Sequence, residues 1–253
     1  MEDFHQELME NGYSRQEELN FWDCDRTQQV RVAALLSKMA VFAGYDYDAR
    51  GLTHEYLLER REVFLLSRVA LRIHRRPRAG DVLTISTWEN GTRGPNLQRV
   101  FEMADRAGGL CVSARSDWVL VDPVTRKIMR PGAFTAKPIY TCPKSIDCPE
   151  TQRVRMPREG AEPLGERRVV WSDLDGNGHL FSGNYGDIFW DYLPPDLQER
   201  SPREFFLDYN REATLGEELH LEGFREGDTY RMEGIGPRGS CFTAQCLFAP
   251  EEP

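Results

Sequence analysis

Asp175, Asn177 and His179, three side chains able to do proton chemistry, stand at alternate positions in the run Trp171-Ser172-Asp173-Leu174-Asp175-Gly176-Asn177-Gly178-His179-Leu180. Alternate side chains of an extended segment point the same way, so a carboxylate, an amide and an imidazole would share one face. Glycines at 176 and 178 leave room for a sharp turn or for close approach of a ligand. The amphipathic stretch after them would offer backbone N–H groups to a developing oxyanion. That is an acyl-transfer arrangement. A blander reading has Asp175 or Asn177 capping the helix and His179 as a satisfied loop histidine. A third takes Asp173-x-Asp175-x-Asn177-Gly178 as half of a calcium loop, but its twelfth position is Asn184 where a bidentate Glu is required. His5, His54, His74 and His220 lie in no comparable cluster. Gly-x-Ser-x-Gly, G-x-x-x-x-G-K-[ST], His-Glu-x-x-His and a convincing dinucleotide fingerprint are all missing from the sequence.

The elements that must position these residues occur twice. Laying Asp25 on Asp175 puts Thr27 on Asn177 and Gln29 on His179, so only the second copy keeps the reactive set. Further landmarks recur in order: Arg76 to Asp81 matches Glu212 to Glu217, and Gly109 to Ala114 matches Gly239 to Ala244. The offset falls from 150 (175 against 25) to 136 (216 against 80) to 130 (239 against 109), which implies shorter loops in the second copy. Val32, Leu35, Leu36, Met39 and Ala43 fall on one helical face, in a helix ending near Gly44. Tyr185, Ile188, Phe189, Tyr192 and Leu193 do the same, and Pro194 and Pro195 stop that second helix. Strand-like runs come after each: 63–73, 82–88, 98–103 and 111–121, then 205–211, 218–224 and 241–248. One helix followed by an antiparallel sheet, twice over, is an α+β pattern. The span 132–168, with Pro138, Pro143, Pro149, Pro157 and Pro163, has little apolar periodicity and reads as a connector between an N-terminal domain, 1–131, and a C-terminal domain, 169–253.

Composition narrows the class further. The 253 residues are 40% hydrophobic and 11% aromatic, enough for real cores. A net charge of -9 argues against nucleic acid as a bulk partner, because duplex binding depends on neutralising phosphates. No stretch is long and apolar enough to span a bilayer, and the first residues lack the features of a secretion signal, so the expected address is cytoplasmic. The six cysteines form no C-x-x-C pair and read as reduced packing residues.

On these residues the sequence resembles the acyl-acyl carrier protein thioesterases, which are built from two hotdog domains. The matching marks are Arg75 to Asp81 through Thr87-Trp88, Ser116 to Asp122 with Thr125-Arg126 and Arg130-Pro131, Asp175-x-Asn177-x-His179 with Tyr185, and Tyr209-x-Arg211-Glu212. The resemblance implies two tandem hotdog domains, each a curved antiparallel β-sheet wrapped around a central α-helix, with the first copy serving acyl-chain binding. It implies hydrolysis of fatty acyl-acyl carrier protein to free fatty acid and carrier protein, and no cofactor beyond the phosphopantetheine that the substrate carries. Its catalytic set falls on Asp175, Asn177, His179 and Glu212, with Glu212 or His179 as general base, Asn177 polarising the carbonyl or placing water, and Asp175 holding its neighbours. Two alternatives share these features: an acyl-coenzyme A thioesterase of the hotdog superfamily, and a non-catalytic acyl-chain-binding protein. Two fused halves imply a monomer that is a pseudo-dimer, or a homodimer. An acidic carrier would require a positive patch, either Arg72, Arg75, Arg76 and Arg78 or Arg153, Arg155, Arg158, Arg167 and Arg168.

This sequence departs from the family pattern at Phe181 and Ser182, where two asparagines are frequent, and at Ala213, where some members carry cysteine. Strand alternation also poses a problem. With Phe205, Leu207 and Tyr209 facing the core, Glu212 would fall on the opposite face with Asp208 and Asn210. Either a bulge near Asn210 or a site between the halves is needed.

Overall fold

The computed structural model describes residues 6–9, 11–136, 142 and 144–250. His5, Pro138 and Pro143, named above, lie outside them. The strands are β1 (Gln6–Met9), β2 (Gly12–Glu18), β3 (Val63–Ile73), β4 (Val82–Arg93), β5 (Asn96–Ala104), β6 (Leu110–Asp122), β7 (Lys127–Met129), β8 (Glu162–Arg168), β9 (Pro202–Tyr209), β10 (Glu218–Glu226), β11 (Thr229–Gly236) and β12 (Gly239–Phe248). The helices are α1 (Val32–Ala49), α2 (His54–Glu59), α3 (Asn184–Asp191) and α4 (Pro195–Gln198).

All pairings between these strands are antiparallel, in one sheet ordered β1-β2-β4-β5-β6-β3-β9-β12-β11-β10-β8, with β7 hung on β6. The sequence β2-β4-β5-β6-β3 is mirrored by β8-β10-β11-β12-β9, so each half repeats the same strand order. The halves abut where β3 pairs with β9, from Arg68 opposite Asp208 to Arg72 opposite Glu204. A large antiparallel sheet with few helices agrees with the α+β expectation.

Five strands, β1, β2, β7, β8 and β11, lie outside the runs read from the sequence. β2 and β8 precede the helix of each half, and β8 is a margin strand with no fully buried residue, only Leu164 packing half-buried against the core. Glu162–Arg168 therefore carries a strand inside the segment read as connector. β11 does alternate, but its inward positions are Tyr230, Met232, Gly234 and Gly236, and two glycines erase the apolar period.

Both helices bury the expected faces. Val32, Leu35, Leu36 and Met39 of α1, and Tyr185, Ile188 and Phe189 of α3 with Leu193 beyond it, are all buried. α1 does not end near Gly44. It runs five residues further, to Ala49, because Asp46 binds Arg50 at 2.8 Å and Arg99 at 2.9 Å and the Tyr47 hydroxyl donates to Glu89 at 2.7 Å. Asp46, Glu89 and Arg99 are buried but paired with opposite charge, which is what makes their burial tolerable. α3 ends before Pro194 as expected, and Pro195 opens α4. The two main helices touch: a Cβ on Gly186 would lie 2.8 Å from the Ala33 backbone, so only glycine permits this approach.

The connector is pinned to the seam between the halves. Thr151 donates to the buried Asp117 at 2.8 Å, and the Val154 N–H donates to the buried Asp208 at 3.0 Å. Arg68 lies 3.9 Å from Asp117 and 3.4 Å from Asp208. Burial pushes the Asp208 carboxyl up to about 6, against the pull of Arg68 and the Val154 N–H.

Candidate active site

The Asp175 loop is closed by its own polar atoms. One turn of 3₁₀ helix, Trp171–Asp173, leads into it, and Asp175 N–H donates to the His179 carbonyl at 2.8 Å. The Asp175 carboxylate accepts in return from the N–H of Asn177 at 2.8 Å and of His179 at 3.1 Å. Gly178 turns the chain with φ 78°, a left-handed value that glycine adopts without strain. Asp175 thus braces the loop, Asn177 sits exposed at its tip, and His179 is half-buried. Leu180 N–H donates to the Ala213 carbonyl at 2.8 Å, and His179 bridges Thr214, so this loop is stitched beside the chain that carries Glu212.

Glu212 reaches the same place through a bulge. β9 ends at Tyr209, after which the N–H groups of Asn210 and Arg211 both donate to the Cys241 carbonyl, at 2.8 and 3.1 Å. Two residues opposite one reset the side-chain alternation and re-aim Glu212, the next residue in the chain. Its Oε2 then lies 3.4 Å from His179 Nε2, each side chain about one-third exposed, at 30% and 31%. Arg126, in the turn between β6 and β7 of the first half, approaches the same Oε2 at 2.6 Å. Arg238 donates to the Glu212 carbonyl at 3.0 Å. Both openings left by the sequence are therefore present, a bulge at Asn210 and a contribution from the other half.

Sequence reasoning singled out neither Arg126 nor Arg238 as site residues. Arg126 belongs to the Thr125-Arg126 mark of the family resemblance, but nothing local to it indicates a partner in the other half. Phe181 packs its ring toward Gly183, where a Cβ would stand 2.8 Å from Phe181 Cε1 and collide with the Ser37 hydroxyl of α1. Ala213 is fully buried.

The first copy has the same loop and different chemistry. Asp25 accepts from Thr27 N–H at 2.7 Å and Gln29 N–H at 3.3 Å, Asp25 N–H donates to the Gln29 carbonyl at 2.8 Å, and Gln28 holds φ 61° where Gly178 stands in the second copy. Arg76, at the place of Glu212, binds Asp25 at 2.6 Å. Burial raises the Asp25 carboxyl, but the Thr27 hydroxyl, Arg76 and the loop N–H groups outweigh it and hold the acid below its usual range. Where the second copy apposes a carboxylate to an imidazole, the first apposes a guanidinium to a carboxylate.

Among the described residues no three His, Cys, Asp or Glu side chains converge as a metal site, and no helix is long and apolar enough to cross a membrane. All six cysteines are free thiols. Cys111, Cys148, Cys241 and Cys246 are buried, and burial pushes the Cys148 thiol up to about 12.

Comparison with known proteins bears on the family and the fold. The family profile described as acyl-ACP thioesterase N-terminal domain matches residues 10–132, and that described as acyl-ACP thioesterase C-terminal domain matches residues 160–233. A chloroplastic palmitoyl-acyl carrier protein thioesterase from Gossypium hirsutum is 24% identical over 178 residues, 68% of this chain; the chain spans 43% of that relative's length. The fold is shared with an acyl-ACP thioesterase from Bacteroides thetaiotaomicron, with a TM-score of 0.84, 22% identity and coverage of 94% of this chain and 98% of that one. It is shared also with a 12:0-ACP thioesterase from Umbellularia californica, with a TM-score of 0.76, 17% identity and coverage of 95% and 98%. With one profile on each half of the chain and the fold common to both solved structures, this chain belongs to the acyl-ACP thioesterase family.

Proposed function

We propose that the protein hydrolyses the thioester of fatty acyl-acyl carrier protein, releasing free fatty acid and carrier protein, at a site made of Asp175, Asn177, His179 and Glu212. The observation that carries this reading is the 3.4 Å approach of His179 Nε2 to Glu212 Oε2 in the second copy alone. Glu212 or His179 takes a proton from water, and the water oxygen bonds to the thioester carbonyl carbon. Asn177 donates to the oxygen on which charge develops. The tetrahedral intermediate expels the thiolate as the C–S bond breaks, and the thiolate recovers the proton held by the base. Asp175 fixes the loop that carries both Asn177 and His179. No covalent enzyme intermediate and no cofactor are required.

In the same reading each half is a hotdog domain, residues 1–131 and, once β8 is counted with its sheet, 162–253, joined by 132–161. The palindromic strand order supports it, each half presenting a five-strand antiparallel layer to its own helix. The first half receives the acyl chain, and the fused pair is a pseudo-dimer acting in the cytoplasm.

The test is turnover over a ladder of acyl lengths on carrier protein and on coenzyme A. The expected result is hydrolysis with higher kcat/KM on carrier protein. Higher kcat/KM on coenzyme A would reassign the substrate, and bound lipid without turnover on either carrier would overturn the enzyme reading.

A further inference from the structure

The two copies differ at one more place, beside the bulge. In the first, His74 and Arg75 N–H groups share the Cys111 carbonyl, at 2.9 and 3.2 Å, as Asn210 and Arg211 share that of Cys241. The side chains then meet equivalent hydroxyls: His74 Nε2 lies 3.0 Å from Ser113 Oγ, and Asn210 Nδ2 donates to Thr243 Oγ1 at 3.3 Å. In the first copy the connector fills this spot. Asp147 lays its carboxylate against Arg72 and 3.9 Å from His74 Nδ1, and its carbonyl accepts from the Ser113 hydroxyl. Arg75 is neutralised as well, by Asp81 at 3.4 Å and Asp105 at 3.0 Å.

In the second copy the equivalent spot is an open groove of about 670 Å³. Asn210, Ser240 and Thr243 line it, and Arg153, Arg155, Arg211 and Arg238 contribute four guanidinium groups against the one carboxylate of Glu233. Arg153, Arg155 and Arg211 are exposed and make no salt bridge among the described residues. Arg238 is shared between Glu217, at 3.1 Å, and the Glu212 carbonyl, so one lining residue of the groove touches the backbone that carries Glu212.

We infer that this groove holds the phosphopantetheine arm of the thioester substrate, with its phosphodiester on the arginines and its amides along Asn210, Ser240 and Thr243. The inference rests on the hydrolase reading above. Exposed guanidinium forks outside any salt bridge among the described residues, as on Arg153, Arg155 and Arg211, suit phosphate, which they bind bidentately. Asn, Ser and Thr supply both the donors and the acceptors that a pair of amides needs. The first copy shows what such a place accepts, since its occupant is an anion joined to a peptide carbonyl.

The test is the double variant Arg153→Glu with Arg155→Glu, two residues outside the catalytic set, accompanied by the milder Arg153→Gln with Arg155→Gln in case charge reversal harms folding. For thioesters that carry the arm, on carrier protein and on coenzyme A alike, KM is expected to rise about tenfold or more while kcat stays within about twofold. For S-acyl-N-acetylcysteamine, which has no phosphate, kcat/KM is expected to stay constant. Equal loss on the truncated substrate, no change on the arm-bearing ones, or a loss confined to carrier protein would each overturn the assignment. Calorimetric binding of 4′-phosphopantetheine to the unaltered protein reads the groove without turnover. Binding weakened by the variants supports the groove even if no thioester is cleaved, whereas binding that the variants leave intact sinks the groove and leaves the hydrolase reading standing.

Discussion

At the scale of single residues, the two copies differ in which charges meet: Glu212 beside His179 in one, Arg76 beside Asp25 in the other. Their substitutions should fail in different ways. Glu212→Gln or His179→Ala is expected to lower kcat about 10²- to 10⁴-fold with little change in KM or melting temperature, as loss of a general base does. Arg76→Ala is expected to leave kcat near its original value and to cost about 1–3 kcal/mol in chemical denaturation, because a half-buried carboxylate is left with only its Thr27 and Gln29 donors. A kcat collapse in Arg76→Ala, or full activity in Glu212→Gln, would reverse these assignments. The loop that Asp175 closes on the N–H groups of Asn177 and His179 was legible because all three lie within five residues. That Arg126 meets Glu212 was not, since the contact joins opposite halves and depends on a turn with no pattern of its own.

At the scale of elements, the sequence shows most where one face is apolar and least where an element serves only to complete a sheet. α1 and α3 are plain in their spacing, whereas β8 is not, because a margin strand with only Leu164 packed inward has no alternation to read. The bulge after β9 was inferred from conflict, since an unbroken strand would have aimed Glu212 away from His179. The helix crossing shows how local space decides the sign of a substitution. Gly186→Ala is expected to destabilise by about 1–3 kcal/mol, because its methyl group would press on the Ala33 backbone. Gly44→Ala, in the same pair of helices but with nothing within 4 Å, is expected to stabilise by about 0.5–1 kcal/mol through the unfolded chain. Thermal denaturation of the two variants side by side checks both, and a shift in the same direction would refute the crossing argument.

At the scale of the whole molecule, the palindromic strand order was legible as repetition, from landmarks recurring in the same sequence. The joining of the halves through β3 and β9 was not, because Arg68 and Asp208 carry no sign that they will stand opposite each other. That seam gives the protein a pH response. A carboxyl raised to about 6 when folded and near its ordinary value when unfolded binds more protons in the native state between those values. The contribution of Asp208 to stability should therefore rise as pH falls from about 7 toward 4.5 and be lost as pH rises through 6, by up to about 3 kcal/mol. Asp208→Asn should flatten that slope in urea titrations at successive pH values; an unchanged slope would assign it to other groups.

β8, the last strand of the sheet, bears on how copies of the protein meet. An unpaired margin normally invites a neighbouring chain to add itself by backbone hydrogen bonds, and repetition of that step leads to fibres. Here the margin carries Pro163, which has no N–H to offer, the charges of Glu162, Glu166, Arg167 and Arg168, and a break in register where β10 shifts between Leu221 and Glu222. Each of these features discourages strand addition, so a sheet of twelve strands can end in solvent without seeding a thirteenth.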